Sequence, residues 1–411
     1  MESRTAKNLI GREILFWFFF FLYSVLSFYL FYRQASTGED GRFLSDMPSY
    51  IGGVLGTNAR DPYPYRLFFW LISALNNIFP INLSAALGTV FLNSLNVFIL
   101  RYFIDKYITK LEITVSIKAS VDKRIDLTPY VSVLFLFSCL LSSMIIIPVD
   151  ALYKFPGQYY IGQGSGNMWH NATYLATRPF STLSFFLFAE LLEEYEKKID
   201  IKKLVFFALS LFLSVFTKPT FAFVMLPSAA VVLLARLILN KFKHFKNSFF
   251  LCLSFIPATA DMLRQYLPVF GSSKESGIGF GPGIVWKQYT NSIFMSILLC
   301  FAFSVYILIF SLRERNRSKL LSFSWIFLFI SLAEGVLLNE KGPRMPDGNF
   351  LQGYIHAMFY LFIVSGIFWL AGNSSVKRKG LYNLGAFVFF CAHSASGIWY
   401  FVRLLSGYSF Y

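Results

Sequence analysis

Residues 14–32 read Ile14-Leu15-Phe16-Trp17-Phe18-Phe19-Phe20-Phe21-Leu22-Tyr23-Ser24-Val25-Leu26-Ser27-Phe28-Tyr29-Leu30-Phe31-Tyr32, fenced by Arg12 before and Arg33 after. The run holds no charge. A helix over it, rising about 1.5 Å per residue, crosses a hydrocarbon core of roughly 30 Å while pairing all its backbone polar groups internally. Composition extends that reading to the rest of the chain. It is 56% hydrophobic and 14% charged, with 50 Phe among 411 residues, which suits lipid-facing helices and not a soluble core. The first run is too long for a cleavable signal and no small-residue cleavage site follows it, so it is expected to stay as an anchor.

The expected fold is an all-α integral membrane protein, one polytopic domain over 1–411. About eleven spans are legible by length and apolar content. They lie near 14–32, 81–104, 129–147, 172–191, 204–216, 220–238, 248–264, 291–312, 320–338, 351–371 and 381–402. The formal charge of +15 does not point to nucleic acid, because Lys and Arg sit in short segments between spans. These are Lys106, Lys110, Lys118, Lys123 and Arg124; Lys197, Lys198, Lys202 and Lys203; Arg236, Lys241, Lys243 and Lys246; Arg313, Arg315, Arg317 and Lys319; and Lys377, Arg378 and Lys379. All fall on one side, together with Arg4, Lys7 and Arg12, which the positive-inside rule makes cytoplasmic. The N-terminus is then cytoplasmic and the C-terminus outside. Cys139, Cys252, Cys300 and Cys391 lie in apolar spans without metal spacing and read as small packing residues.

The other side carries the unusual sequence: outer loops 33–80, 148–171, a turn at 217–219, 265–290 and 339–350. Within the first, Leu67 to Phe79 has helical apolar spacing and reads as a helix along the outer interface. The Gly- and Ser-rich segment 265–290 reads as a mobile lid and not as a packed element. No internal repeat supports an inverted-repeat transporter.

Candidate chemistry gathers in these loops. Asp46, in Ser45-Asp46-Met47-Pro48-Ser49-Tyr50, is placed to act as general base toward a hydroxyl, or equally to cap the helix that follows; Asp40 is the second choice. In the stretch from Tyr159 to Tyr174, glycines allow backbone to approach a ligand. Trp169 and Tyr174 offer flat faces for sugar rings or for anchoring at the membrane interface, and Asn167, His170 and Asn171 offer hydrogen bonds. Arg178 lies inside a span, where an unpaired guanidinium is costly, so it is expected to meet an anion or an acid such as Asp150. Lys218 stands at the tip of an apolar hairpin, as a cation of the site or a snorkelling side chain. Arg344 has the planar fork that grips phosphate, with Asp347 and Asn349 beside it. Glu334, inside a span, is either functional or paired with a buried Arg. His356 and His393 read as helix-packing hydrogen bonders. No nucleotide loop, dinucleotide fingerprint, zincin helix or serine elbow occurs.

The chain resembles the polytopic GT-C type glycosyltransferases, particularly bacterial membrane proteins of polysaccharide assembly. The resemblance rests on Ser45-Asp46-Met47-Pro48-Ser49-Tyr50 through Phe79, on Asn167 to Tyr174, and on Arg178-Pro179-Phe180. It also rests on Thr217-Lys218-Pro219 and on Gly342-Pro343-Arg344 to Asp347-Gly348-Asn349. It covers most of the chain by architecture and only these stretches by motif. It implies a polyprenyl-phosphate-linked sugar donor used on the outer face, a glycan or lipid acceptor, and an acidic residue of the first outer loop as base, here Asp46. Many relatives carry two adjacent acidic residues or Asp-x-Asp there. This chain has a lone Asp46 with Glu39-Asp40 upstream, which leaves the base open between Asp46 and Asp40 and leaves a divalent metal open.

The expected activity is transfer of a sugar from that donor, with Asp46 as base. Arg178, Lys218 and Arg344 hold the phosphate, and Trp169, His170, Asn171, Tyr174, Asp347 and Asn349 line the substrate site. The expected setting is a bacterial inner membrane, with membrane lipid as surroundings. Two alternatives stand beside it: an oligosaccharide repeat-unit polymerase and, more distantly, a lipid-linked sugar transporter or flippase.

Overall fold

The structure is a computed structural model that describes residues 2–36, 41–57, 63–116, 128–154, 164–270, 277–313, 318–372 and 379–408. Its helices, in chain order, are α1 (Glu2–Ala35), α2 (Met47–Leu55), α3 (Leu67–Asn76), α4 (Ile81–Ser116), α5 (Thr128–Leu141), α6 (Ala172–Glu194) and α7 (Ile201–Thr217). There follow α8 (Thr220–Leu239), α9 (Phe245–Leu253), α10 (Ile256–Phe270), α11 (Ile293–Arg313), α12 (Lys319–Leu337), α13 (Asn349–Gly372) and α14 (Lys379–Leu405). Two three-residue strands, β1 (Ile278–Phe280) and β2 (Leu338–Glu340), pair antiparallel with Gly279 opposite Asn339.

Among the described residues, seven helices are long and apolar enough to cross a membrane: those spanning Ile10–Ala35, Ile81–Ile108, Thr220–Leu239, Ile293–Arg313, Lys319–Leu337, Met345–Ala371 and Gly380–Leu405. The chain is an all-α, multi-pass membrane protein. Large apolar side chains such as Trp17, Phe18 and Phe21 of α1 and Phe294 of α11 stand exposed on the outside of the bundle, as lipid-facing residues do.

The remaining four expected spans differ, each for a local reason. α5 stops at Leu141, and 142–149 runs on without regular structure, tied to α14: His393 Nδ1 lies 2.7 Å from the Ser143 carbonyl, and Ile146 N–H donates to Ser396 Oγ at 3.0 Å. α7 is short at 17 residues. The stretch 248–264 is broken between α9 and α10, where Ser254 and Phe255 close turns onto Leu251 and Cys252. α6 is 23 residues long but carries Thr173, Thr177, Thr182, Ser181, Ser184 and the charged Arg178. It tolerates them because it is buried almost all round, packed against α4, α7 and α12, so other helices and not lipid meet its polar groups. α13 is the second buried helix, enclosed by α8, α11 and α12.

Backbone and side-chain contacts bring the expected outer loops to one end of the bundle. Asp46 N–H donates to His170 O at 3.1 Å, Arg66 N–H to Phe216 O at 2.9 Å, and Phe43 N–H to Gly407 O at 3.2 Å. Tyr153 bridges Thr290, and β1 meets β2. The segment read as a mobile lid is therefore, over 277–290, a packed element: β1 pairs, a 3-10 turn follows, and Trp286 is buried against Tyr354. Gly271, Ser272, Ser273 and Ser276 lie outside the described residues. The helix expected between Leu67 and Phe79 is α3, with Phe68 and Ile72 turned into the core. The opposite end is an ionic belt. Arg12 meets Asp105, Lys106 and Lys203 meet Glu190, and Arg236 meets Glu196, tying α1, α4, α6, α7 and α8 where the basic segments begin. Lys118, Lys123, Arg124, Arg315, Arg317, Lys377 and Arg378 lie outside the described residues. All four cysteines are free, with Cys139 and Cys300 buried.

Candidate functional site

The site forms where α6 begins. Asn171 occupies the N-cap, its Oδ1 accepting from Tyr174 N–H at 2.9 Å. This is what a short polar side chain does at a helix start, where backbone donors have no intrahelical acceptor. The same oxygen also accepts from Lys218 Nζ at 3.0 Å and from Thr173 Oγ1 at 2.9 Å. The other end of the carboxamide, Nδ2, donates to Asp46 Oδ2 at 2.8 Å. Residues 46, 171 and 218 are thus joined at one point.

Asp46 stands in the N-cap position of α2, yet its carboxylate makes no cap hydrogen bond. Met47 N–H instead finds Ser45 Oγ at 3.2 Å. The Asp46 carboxylate is turned toward Asn171 and toward Tyr50, whose hydroxyl donates to Oδ2 at 3.3 Å. It remains half-exposed. Asp40 lies outside the described residues.

Lys218 is buried where α7 ends, before Pro219 starts the turn into α8. Its ammonium donates to Asn171 Oδ1 and to Thr173 Oγ1, each at 3.0 Å. Burial pushes its pKa down from 10.5 to about 8, against the opposing charges of Asp46 and Asp347. His170 is pushed down from 6.5 to about 4 by burial, with Asp46 opposing and Lys218 adding to the fall, so it is neutral at physiological pH.

Arg178 lies five residues beyond Thr173 on α6, about 7.5 Å deeper along the axis. It is fully buried, donates to the Gly166 carbonyl and lies over the Phe359 ring, 4.2 Å from its centroid. Its Nε and Nη1 have no hydrogen-bond partner, and among the described residues it has no carboxylate partner. The expected Asp150 contact is absent: Asp150 sits exposed in a 3-10 turn. Gly166 permits the Arg178 contact, because a Cβ there would come within 3.3 Å of the Phe359 backbone.

The other expected site residues divide. Asn167 is a structural clamp, its Nδ2 donating to Cys139 O at 3.2 Å and Ser142 O at 2.7 Å. Trp169 presents no open face. It is fully buried against Tyr23, Phe31 and Phe401, so its ring anchors the loop to α1 and α14. Tyr174 is likewise buried, its ring tilted against His356 with centroids 4.4 Å apart and its hydroxyl donating to Gly166 O at 3.2 Å. These rings are covered because the loop folds inward with α6, which alternation of residue types along the chain does not reveal. Asp347 is exposed with its charge reaching Lys218, and Asn349 donates to buried Glu340 at 2.7 Å. The Arg344 side chain lies outside the described residues. Glu334 has no ion pair among them. His393 holds the 142–149 segment and His356 packs between Tyr174 and Phe221, so both are packing residues as expected.

Two members of the site were not singled out beforehand: Tyr50 and Thr173. Tyr50 lies four residues after Asp46, one helical turn along α2, and Thr173 two after Asn171. The i,i+4 spacing from Asp46 was the available signal for the first. Among the described residues, no three His, Cys, Asp or Glu side chains gather as metal ligands. The arrangement sets a half-exposed carboxylate and a buried ammonium at the N-terminus of α6, with a buried guanidinium further along the same helix. No protein-family model, curated protein or solved structure matches this chain.

Proposed function

We propose that this protein is a membrane glycosyltransferase that moves a sugar from a polyprenyl-phosphate-linked donor to a hydroxyl of a glycan or lipid acceptor. It works on the extracytoplasmic face of a bacterial cytoplasmic membrane, with its N-terminus cytoplasmic and the chain crossing eleven times. The observation that carries this reading is the convergence of Asp46 and Lys218 on Asn171 at the start of α6, the helix that also carries the buried Arg178. A half-exposed carboxylate is the group needed to take a proton from an acceptor hydroxyl. An ammonium, the positive end of α6 and a guanidinium with unpaired donors favour an anion that enters from membrane depth. A leaving phosphate is such an anion, and preorganised cations lower the barrier by stabilising the charge as it develops. Arg344 is assigned a supporting grip on the same phosphate.

A second reading, a lipid-linked sugar transporter, draws on Arg178 and His356 lying fully buried in the middle of the bundle. The test separates the two. Lipid-linked sugars and surface glycan are measured by mass spectrometry in parent, deletion and Asp46→Asn cells. Transfer predicts donor accumulation and loss of one defined sugar, with Asp46→Asn matching the deletion at normal protein level. Loss of a whole repeating block instead indicates a polymerase. Unchanged intermediates and glycan would remove the transferase reading and bring the transporter forward.

A further inference from the structure

The hydrogen bonds on the far side of Asn171 run in one direction. Lys218 Nζ donates to Thr173 Oγ1 at 3.0 Å, Thr173 Oγ1 to Tyr50 OH at 3.0 Å, and Tyr50 OH to Asp46 Oδ2 at 3.3 Å. Each hydroxyl accepts from one neighbour and donates to the next, so the ammonium and the carboxylate are joined by an unbroken line of exchangeable protons. Tyr50, Thr173 and Lys218 are all buried, whereas Asp46 is half-exposed. Burial first, and the Asp46 charge second, hold the Tyr50 phenol well above its usual 10, so it stays a neutral O–H that passes a proton on without storing a charge. The Thr173 proton has a second acceptor in reach, Asn171 Oδ1 at 2.9 Å, so rotation of one hydroxyl opens or closes the line.

We propose that Tyr50 and Thr173 form a proton-return relay that resets Asp46 and Lys218 after each sugar transfer. The proposal rests on the transferase reading. Before transfer Asp46 is a carboxylate and Lys218 an ammonium. The acceptor hydroxyl gives its proton to Asp46 as its oxygen bonds to the anomeric carbon. The bond from that carbon to the phosphate oxygen breaks, its electron pair goes to the oxygen, and Lys218 supplies a proton to the phosphate. A carboxylic acid and an amine remain. The acid proton then passes to Tyr50, that of Tyr50 to Thr173, and that of Thr173 to Lys218, restoring both groups. The net change is one glycoside and one lipid phosphate carrying the acceptor's proton. The donor order after such a hop is Lys218 to Thr173 to Tyr50 to Asp46, which is the order present in the structure. Asp46, Asp347, His170 and His356 are the titratable groups whose charges couple to Lys218; Arg178 couples to His356.

The test uses the purified full-length protein in lipid nanodiscs, with the lipid-linked fraction extracted from the deletion strain as donor and its surface glycan as acceptor. Product is counted over the first and later turnovers for Tyr50→Phe, Thr173→Val and Thr173→Ser. A relay acts after the chemical step. Tyr50→Phe and Thr173→Val are therefore expected to give about one product per protein in a fast first phase, then steady turnover slowed roughly tenfold or more. Thr173→Ser, which keeps the hydroxyl, restores the steady rate. The two breaking variants interrupt neighbouring links, so one misfolding variant leaves the other decisive. Equal slowing of first and later turnovers, or no slowing, overturns the relay while transfer stands. Absence of transfer by the unaltered protein overturns the transferase reading itself, and the relay with it.

Discussion

Asp46 and Lys218 share one carboxamide and do not pair directly: Asn171 Nδ2 donates to Asp46 Oδ2 at 2.8 Å while Asn171 Oδ1 accepts from Lys218 Nζ at 3.0 Å. A direct ion pair would let each charge satisfy the other and leave neither for a substrate. The intervening amide holds both at hydrogen-bond distance and keeps them apart. One side of Asp46 stays open for an acceptor, and the ammonium stays beside the helix N-terminus, where an anion gains most.

Asn171→Ala removes this spacer and the α6 cap together. Loss of an N-cap costs about 1 kcal/mol, a shift of a few degrees in thermal midpoint. Asp46 and Lys218 are then free to close on one another, so turnover is expected to fall by about two orders of magnitude, well beyond what the stability loss explains. Asn171→Ser keeps a cap and loses the spacer; it is expected to recover the thermal midpoint but not the turnover. Normal turnover in either variant would falsify the spacer role.

The rate of transfer should depend on pH through Lys218. Its pKa of about 8 means the ammonium is present below that pH and lost as pH rises through it. The rate is expected to fall above about pH 8, and Lys218→Arg, whose guanidinium stays charged but gives up no proton, is expected to lose steady turnover at every pH. His170, at about 4, is already neutral. A pH–rate profile from 5.5 to 9 in His170→Gln should therefore keep its shape; loss of the falling limb in that variant would assign the titration to His170.

Arg178 separates a ligand-binding role from a packing role. Replacing a buried unpaired charge by an apolar side chain of similar length is often neutral or stabilising. Arg178→Met is expected to match or exceed the unaltered protein in thermal midpoint in detergent, while losing the stabilisation that the extracted lipid-linked fraction gives by binding the folded state. A lower midpoint together with intact donor stabilisation would make Arg178 a purely structural residue.

Gly397 marks where α14 presses on the end of α5. A Cβ there would fall 1.8 Å from the Leu141 carbonyl oxygen, too close without movement of backbone. Gly397→Ala is expected to destabilise by about 1–3 kcal/mol, as overpacking does, seen as a drop in thermal midpoint. The loss should extend to transfer, because the displaced 141–143 segment carries the carbonyl of Ser142 that anchors Asn167 and hence the loop leading to Asn171.

The membrane character was legible because it is a property of single segments. An uncharged run such as 14–32 or 293–312 needs no knowledge of its neighbours to be recognised. α6 and α7 were legible as helices but not as to their surroundings: the Ser, Thr and Arg of α6 look unfavourable for a span until the helix is seen enclosed by others. The break between α9 and α10 and the early end of α5 depend on contacts from elsewhere, notably His393 and Ser396 of α14 on 142–149.

The same division holds at the site. The sequence by itself determined that polar and ionisable residues concentrate between the apolar runs on one side, and it singled out Asp46, His170, Asn171, Arg178 and Lys218 by residue type. Tertiary structure decided that 46, 171 and 218 meet, that Trp169 and Tyr174 are spent on packing, and that Tyr50 and Thr173 complete the hydrogen-bonded ring. The physical reason is range. Apolar length and charge are read within one segment, whereas a hydrogen bond of about 3 Å joins residues that the chain separates by 125 and 47 positions.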